Sequence, residues 1–165
     1  MSVKQALVGV ISDTHGKLDE QVLELFAGVS HIIHAGDIGD EELIWRLEKI
    51  APVLAVRGNI DGDTMCFPTE RLAIIKGRTF FIRHQFATVE KMNAAQQRLI
   101  EQRMPDVVVF GHSHQAYSGH WRGTLLFNPG GAGPKRFSLP RTVGFLELHE
   151  DNITPRIVTL KSSVQ

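Results

Sequence analysis

Apolar residues along this chain gather in short runs that alternate with polar, turn-forming stretches. Short apolar runs between turn signals are typical of strands buried in a sheet. Six runs show this pattern clearly: Ala6–Ile11, His31–Ala35, Val53–Val56, Leu72–Ile75, Thr79–Ile82 and Val107–Phe110. Four later runs show it less sharply: Gln115–His120, Thr124–Phe127, Thr142–Leu148 and Ile153–Leu160. The pattern therefore predicts ten strands.

Three further segments carry apolar residues at helical spacing: Asp19–Phe26, Asp40–Ile50 and Thr88–Arg103. Residues three and four apart share one helix face, so such spacing predicts helices packed on a core. Asp40 is the expected N-cap of the second helix. The stretch LAIIKGRTFF predicts a hairpin whose turn consists of Lys76, Gly77 and Arg78.

The order of these elements predicts an α/β fold. Strands and helices alternate in the first half, which favours parallel strands covered by helices. The second half is rich in strands and is expected to be antiparallel. We therefore predict a layered α-β-β-α sandwich with mixed sheets, built as a single domain over residues 1–165.

Polar side chains of three types follow five of the predicted strands, near the point where each strand ends. They are Asp13 and His15, then Asp37, then Asn59 and Asp61, then His84, and finally His112 with His114. Ligands of open α/β sheets bind outside the carboxyl ends of the strands. Because parallel strands end at one edge, we expect these groups to meet there. Residues two apart on an extended segment share a side, so Asp13 with His15, and His112 with His114, are each expected to act as a pair.

Seven of these groups suit metal ions: Asp13, His15, Asp37, Asn59, His84, His112 and His114. Seven ligands exceed the four that a tetrahedral ion takes, and they suit two ions that share a carboxylate. Oxygen and imidazole ligands favour Mn²⁺, Fe, Co²⁺, Ni²⁺ or Zn²⁺ over Ca²⁺ or Mg²⁺. Any one of them alone could simply cap a turn, but five strand ends of one chemical type favour a shared metal site. The remaining histidines lack such partners, although His34 lies close enough for a supporting role.

Composition narrows the function classes further. Lys plus Arg equals Asp plus Glu at 18 each, so no stable binding of nucleic acid is expected. No apolar run approaches the roughly 20 residues of a membrane span, and the first apolar run makes a poor signal peptide. Cys66, the single cysteine, is expected to be a small buried side chain, and its isolation favours a reducing compartment such as the cytoplasm.

Taken in order, the motifs resemble those of the calcineurin-like metallophosphoesterase superfamily. They are SDTHG, HAGDI, RGNID, the histidine of IRHQF, FGHSH and NPGG, spread over residues 12–131. The chain length resembles the small single-domain phosphodiesterase branch of bacteria and archaea. The resemblance implies that Asp13, His15 and His114 hold one metal, that Asn59, His84 and His112 hold the other, and that Asp37 bridges them. It further implies a hydroxide between two ions, Mn²⁺ foremost, that attacks the phosphorus atom of a small phosphate ester.

The resemblance also implies functional roles beyond metal binding. Asp37, Asn59, Asp61 and His84 would be catalytic, and Asn59, Gln85 and Arg136 would contact substrate. Many relatives place a histidine after the GN pair, where this chain has Ile60, so good leaving groups should react best. Asp61 would then orient a neighbour rather than relay a proton.

Two further differences from the family pattern bear on substrate shape. Gln85 and Phe86 replace a usual glycine and histidine, and Phe86 is expected to wall the pocket. Lys135 and Arg136 would face a phosphate or lie in solvent.

The sequence thus predicts a hydrolase of phosphate esters, foremost a phosphodiesterase. A phosphomonoesterase could use the same metals. A third hypothesis is a binding scaffold like the small retromer subunit of this superfamily, which has a degraded site. The sequence is compatible with a homo-oligomer, and no membrane partner is expected.

Overall fold

The computed structural model describes residues 4–162, and within them each of the ten predicted strands is present. The first half contains β1 (Lys4–Ile11), β2 (His31–His34), β3 (Val53–Ala55), β4 (Glu70–Ile75) and β5 (Arg78–Arg83). The second half contains β6 (Val107–Val109), β7 (Tyr117–Trp121), β8 (Thr124–Asn128), β9 (Thr142–His149) and β10 (Ile153–Thr159). The helices are α1 (Glu20–Leu25), α2 (Glu41–Glu48) and α3 (Ala94–Arg103).

The strands form two five-stranded mixed sheets. The first has the order β10-β9-β1-β2-β3, and the second has the order β4-β5-β6-β8-β7. In the first sheet β1, β2 and β3 are parallel, whereas β9 runs antiparallel to β1 and β10. The expected antiparallel second half is correct only in part, because β5, β6 and β8 are parallel. The crossover through α3 permits β5 and β6 to be parallel, and β8 becomes parallel to β6 because the chain first reverses through β7.

Buried apolar residues arrange the sheets and helices in four layers. Val10 of β1, Phe80 of β5 and Phe127 of β8 lie in the cluster between the sheets. A second cluster covers the other face of the first sheet and includes Phe26 and Leu47 from the α1 and α2 region. A third cluster lies on the outer face of the second sheet, under α3. The α-β-β-α prediction is confirmed.

The helix expected over Thr88–Arg103 is divided into two pieces. A short 3-10 helix spans Val89–Lys91, and α3 begins only at Ala94. Asn93 ends the first piece because its side chain caps the backbone N–H of Gln96, and the Gln96 side chain caps Asn93 in return. This reciprocal capping box is a local signal for a helix start. Asp40 caps α2 as predicted, since its carboxylate accepts from the Glu42 N–H at 2.9 Å.

Two smaller expectations are wrong. Arg78 belongs to β5, where it pairs with Ile75, so the hairpin turn contains only Lys76 and Gly77. Cys66 is exposed rather than buried. In the part of the chain that is described, no helix combines the length and the apolar character needed to cross a membrane.

Candidate metal centre

The polar groups that follow the strands converge at one rim of the sandwich. Three of the segments that carry them follow β1, β2 and β3 in the first sheet, and two follow β5 and β6 in the second. Contacts between the two sets join the sheets at this rim: Asp13 Oδ1 lies 3.3 Å from His114 Nε2. Asp37 Oδ1 lies 3.3 Å from His84 Nε2.

The first cluster consists of Asp13, His15 and His114. The two imidazole Nε2 atoms are 3.3 Å apart, and Asp13 Oδ1 lies 4.0 Å from His15 Nε2. Asp13 is fully buried, whereas the His15 side chain is 26% exposed. Each of the three residues can therefore offer one ligand atom to a common point that solvent reaches from the His15 side.

The second cluster consists of Asp37, Asn59, His84 and His112. Asn59 Oδ1 lies 3.0 Å from His84 Nε2 and 3.0 Å from His112 Nδ1. The other nitrogen of His84 donates to the Ala35 carbonyl at 2.7 Å, which directs its Nε2 toward the cluster. His84 is buried and His112 is exposed, so this cluster also opens to solvent on one side.

The Asp37 carboxylate faces both clusters. Its Oδ1 atom contacts His84, and its Oδ2 atom lies 3.7 Å from His15 Nε2. Asp13 Oδ1 also lies 3.8 Å from His84 Nε2, so the two clusters are immediate neighbours. Among the contacts described for residues 4–162, Asp37 is the one residue of the seven that directs one carboxylate oxygen to each cluster.

The backbone at the rim is left-handed rather than extended. Asp13, His15, Asp37, His112 and His114 have φ values between 48° and 72°. The expected extended backbone is therefore wrong for both pairs. Asp13 and His15 still share one cluster, but His112 and His114 do not act together. Their left-handed backbone sends His112 to the second cluster and His114 to the first. Asp, Asn and His tolerate this conformation better than most residues.

Glycines beside the motifs make room for the carboxylates. A Cβ atom at Gly58 would collide with Asp37 Oδ1, and one at Gly111 would lie 2.7 Å from Asp13 Oδ2. Both clashes would involve buried groups with little freedom to move. These glycines therefore permit close approach between neighbouring segments rather than a special turn.

Asp61 holds two of these segments together through backbone groups. Its Oδ2 atom accepts from the N–H groups of Ile38 at 3.0 Å and Gly58 at 2.8 Å. Its Oδ1 atom accepts from the Gly39 N–H at 2.9 Å. The carboxylate thus orients the loops that carry Asp37 and Asn59, which favours the orienting role over proton relay.

Sequence reasoning gave too little weight to the buried polar residues beside the ligands. Ser12 donates to Asp13 Oδ2 at 2.7 Å, and Asn128 donates to the Gly111 carbonyl at 3.0 Å. Gly36 N–H donates to Nδ1 of the buried His34, so the Nε2–H of this ring donates to Thr14 Oγ1 at 3.0 Å. Small polar residues inside or just beside the motifs are the signal that could have identified them.

Electrostatics differ between the clusters. Burial opposes charge on Asp37, yet the hydrogen bonds from His84 and the Ile60 N–H outweigh it and lower the Asp37 pKa. Burial likewise opposes charge on His84, but Asp37 and Asp13 raise the His84 pKa. The His114 pKa is lowered by burial, with His15 and Arg136 adding to the effect.

The predicted substrate contacts have mixed outcomes. Arg136 is exposed and lies at the rim, with its Nη1 atom 3.3 Å from His114 Nε2. Gln85 is exposed beside His84. Phe86 instead packs edge-on against Phe81, at 6.3 Å between ring centres, on the outer face of the second sheet. The expectation that Phe86 walls the pocket is therefore wrong.

The donor set fits divalent transition metals. Asp13 Oδ1 is buried and has no hydrogen-bond partner among residues 4–162, although it lies 3.3 Å from His114 Nε2 in the first cluster. An unpaired buried carboxylate oxygen is costly unless a cation or donor satisfies it. Two imidazole Nε2 atoms that face each other at 3.3 Å also favour a cation between their lone pairs.

Comparisons with known proteins agree with this chemistry. A model of the calcineurin-like phosphoesterase superfamily domain matches residues 7–151. The probable metallophosphoesterase MJ0623 of Methanocaldococcus jannaschii is 34% identical over 130 residues, which cover 75% of this chain and 67% of that protein. Phosphodiesterase YfcE of Escherichia coli K12 is 28% identical over 162 residues, which cover 82% and 84%.

Solved structures share the fold. An archaeal phosphodiesterase gives a TM-score of 0.77 at 24% identity over 93% of this chain and 99% of that chain. Vacuolar Protein Sorting 29 from Cryptosporidium parvum gives a TM-score of 0.75 at 17% identity over 97% and 100%. The same architecture therefore occurs in a named enzyme and in a sorting protein, and only the site residues can separate the two functions.

Proposed function

The chain belongs to the calcineurin-like phosphoesterase superfamily, and from this premise we propose that it is a phosphodiesterase dependent on two divalent transition-metal ions. Its curated relatives are named metallophosphoesterases and phosphodiesterases, hydrolases of phosphoric ester bonds. The observation that carries the proposal is the Asp37 carboxylate, whose two oxygens face two separate clusters of ligand atoms. This arrangement suits a pair of ions that share one carboxylate.

The ligand assignment follows the two clusters. Asp13, His15 and His114 would hold one ion, and Asn59, His84 and His112 would hold the other. Asp37 would serve both. When bound, the two ions would supply an activated water as nucleophile and neutralise charge on the phosphoryl oxygens.

The chain's own residues then position the ester. Arg136, at the open side of the first cluster, would hold a phosphoryl oxygen through its guanidinium. The Asn59 amide and the exposed Gln85 would offer hydrogen bonds from the other side. The exposed Ile60 side chain, next to Asn59 in sequence, has no proton to donate, so a leaving group of low pKa should depart most easily. Mn²⁺ is the favoured ion, with Fe, Ni²⁺, Co²⁺ or Zn²⁺ as alternatives.

Two other functions can use this fold. A phosphomonoesterase would need the same ions and would differ only in what contacts the second ester arm. A scaffold of the Vacuolar Protein Sorting 29 type shares the architecture. The scaffold hypothesis is weakened because all seven ligand positions keep metal-binding side chains and lie at one rim.

The proposed partner is a small phosphate ester rather than nucleic acid or membrane. The chain carries no net charge, which gives long nucleic acids no general attraction. We place the protein in the cytoplasm, since an exposed single cysteine suits a reducing compartment. A homo-oligomer remains compatible with this function.

The test is metal-dependent turnover of paired aryl esters. Protein stripped with a chelator should lose hydrolysis of bis(p-nitrophenyl) phosphate and regain it with Mn²⁺. Asp37→Asn and His114→Ala should each lower kcat/KM by at least about a hundredfold, since even residues behind metal ligands cost 10–100-fold. Metal analysis should show the loss of bound ions in the same variants.

Each contrary result has a definite meaning. Chelator-insensitive turnover, or full activity in Asp37→Asn, would refute the two-metal proposal. A faster reaction with p-nitrophenyl phosphate than with the diester would favour the monoesterase. Metal binding without turnover of either ester would favour the scaffold.

A further inference from the structure

A groove leads away from the metal centre along the segment after β8. One cavity of about 270 Å³ is lined by His15, His114, Pro134 and Lys135, among others. A second cavity of about 470 Å³ has Lys17 in its wall. Pro134 and Lys135 line both cavities, so the two are immediate neighbours. Together they provide the volume of a small-ligand site, well beyond that of one phosphate group.

The groove is positively charged although the chain as a whole is neutral. Lys17, Lys135 and Arg136 are exposed, and within residues 4–162 none of them forms an ion pair with a carboxylate. The remaining cation, Arg141, is already neutralised by Asp19 at 2.9 Å. Free cations in a concave site raise the local concentration of anions.

The wall that carries Lys135 is anchored to the metal centre. Ala132 N–H donates to the Ser12 carbonyl at 3.0 Å, and Gly133 N–H donates to the Asp13 carbonyl at 3.1 Å. Arg141 Nε donates to the Gly133 carbonyl at 2.8 Å from the other side. The backbone of Lys135 therefore starts two residues beyond an anchored point, which keeps this residue beside the metal centre.

We propose that this groove binds a second phosphate group on the substrate, carried by the ester arm that extends beyond the scissile phosphate. The inference rests on the proposed phosphodiesterase function. Arg136 would stay with the scissile group beside His114, and Lys17 and Lys135 would flank the second phosphate. The substrate class is therefore a phosphodiester with an additional terminal phosphate, such as a phosphorylated nucleotide ester.

A matched pair of probes tests this proposal. Thymidine 5′-(p-nitrophenyl phosphate) and the same compound with a 3′-phosphate share their leaving group and differ only in the second phosphate. Release of p-nitrophenol from Mn²⁺-loaded enzyme reports diester cleavage in both. We expect kcat/KM to favour the 3′-phosphorylated probe by about tenfold at low ionic strength, and high salt to reduce this preference.

Variants assign the preference to the groove. The double substitution Lys17→Ala and Lys135→Ala should bring the ratio of the two kcat/KM values close to one. Lys49→Ala removes one positive charge at the far end of α2, away from the groove, and it should keep the wild-type ratio. Because the readout is a ratio within one protein sample, a loss of folded protein does not alter it.

The outcomes separate the two proposals. Equal kcat/KM for both probes in the wild type, or an unchanged ratio in the double variant, would overturn the second-phosphate site and leave the phosphodiesterase standing. Hydrolysis of neither probe by metal-loaded enzyme would overturn the phosphodiesterase itself, and the groove proposal with it.

Discussion

The two ends of the strands use the same backbone conformation for different reasons. At the end opposite the metal centre, Lys76–Gly77 joins β4 to β5 and Arg122–Gly123 joins β7 to β8, with φ between 48° and 85°. Two-residue hairpin turns of type I′ have positive φ at both positions, and their twist matches that of the strands. Here neighbouring residues alone account for the conformation.

At the rim, distant segments impose the conformation. Asp13 N–H donates to the Gly36 carbonyl at 2.9 Å, and His15 N–H donates to the Asp37 carbonyl at 3.0 Å. His112 N–H donates to Asp13 Oδ2 at 3.0 Å, from a segment 99 residues away. These bonds hold side chains of proposed function in a conformation that local preference disfavours. The comparison teaches that left-handed residues mark function where long-range contacts enforce them.

Asp61 gives the strongest test of this difference, since it connects two rim segments. Asp61→Asn replaces one acceptor oxygen with an NH₂ group that cannot accept from backbone N–H groups. We expect kcat/KM to fall about 10–100-fold and metal affinity to weaken, as for other residues that support metal ligands. Activity assays and metal titration would measure both effects.

Asp63→Asn is the matched control, because Asp63 is exposed and pairs with Arg57 Nη1 outside the rim at 2.9 Å. It should leave kcat/KM near the wild-type value. The pH–rate profile of Asp61→Asn should keep its shape. Loss of one limb of that profile would instead show that Asp61 relays a proton.

His34 provides the second test, through stability rather than activity. Burial lowers its pKa from 6.5 to about 3, although Asp61 and Asp37 favour its charged form. The unfolded chain therefore binds a proton in this range that the folded chain does not. The contribution of neutral His34 to the free energy of unfolding is therefore complete above about pH 6.5, and it is lost as the pH falls toward 3.

Chemical denaturation of metal-free protein should show this loss. Between pH 6.5 and about pH 4.5 the His34 share of the free energy of unfolding should fall by about 2–3 kcal/mol. His34→Gln should have a correspondingly shallower pH dependence, whereas His120→Gln at an exposed site should keep the wild-type slope. Equal slopes in all three proteins would mean that the buried ring does not resist protonation.

Lys76→Asn tests the opposite end and has the smallest expected effect. Asn-Gly is the preferred pair for a two-residue turn with positive φ at both positions. We expect the free energy of unfolding to rise by a few tenths of a kcal/mol to about 1 kcal/mol, with kcat/KM unchanged. A change in kcat/KM would show that this hairpin turn influences the metal centre, and it would contradict the conclusion that only local residues determine the turn.

Much of the fold could be read from local patterns, since apolar runs and turn residues report on neighbours. Two predictions were wrong for different reasons: one missed a short local signal, and the other depended on contacts between residues far apart in sequence. The capping box at Asn93 and Gln96 divides a helix that the apolar stripe suggested was continuous. Phe86 lies in an aromatic cluster with Phe81 and Phe110, because the outer face of the second sheet, part of which is far from Phe86 in sequence, offers it apolar contacts.

The sequence by itself determined the alternation of strands and helices in the first half, the polar residues that follow five strands, and the chemical type of the site. These depend on residue identity and spacing, which the chain carries locally. Only the tertiary structure decided that the rim residues adopt a left-handed backbone, that Asp61 binds backbone groups, and that Lys17 lies in one groove with Lys135. Such facts require segments far apart in sequence to meet, and the geometry of that meeting is set by the packing of both sheets.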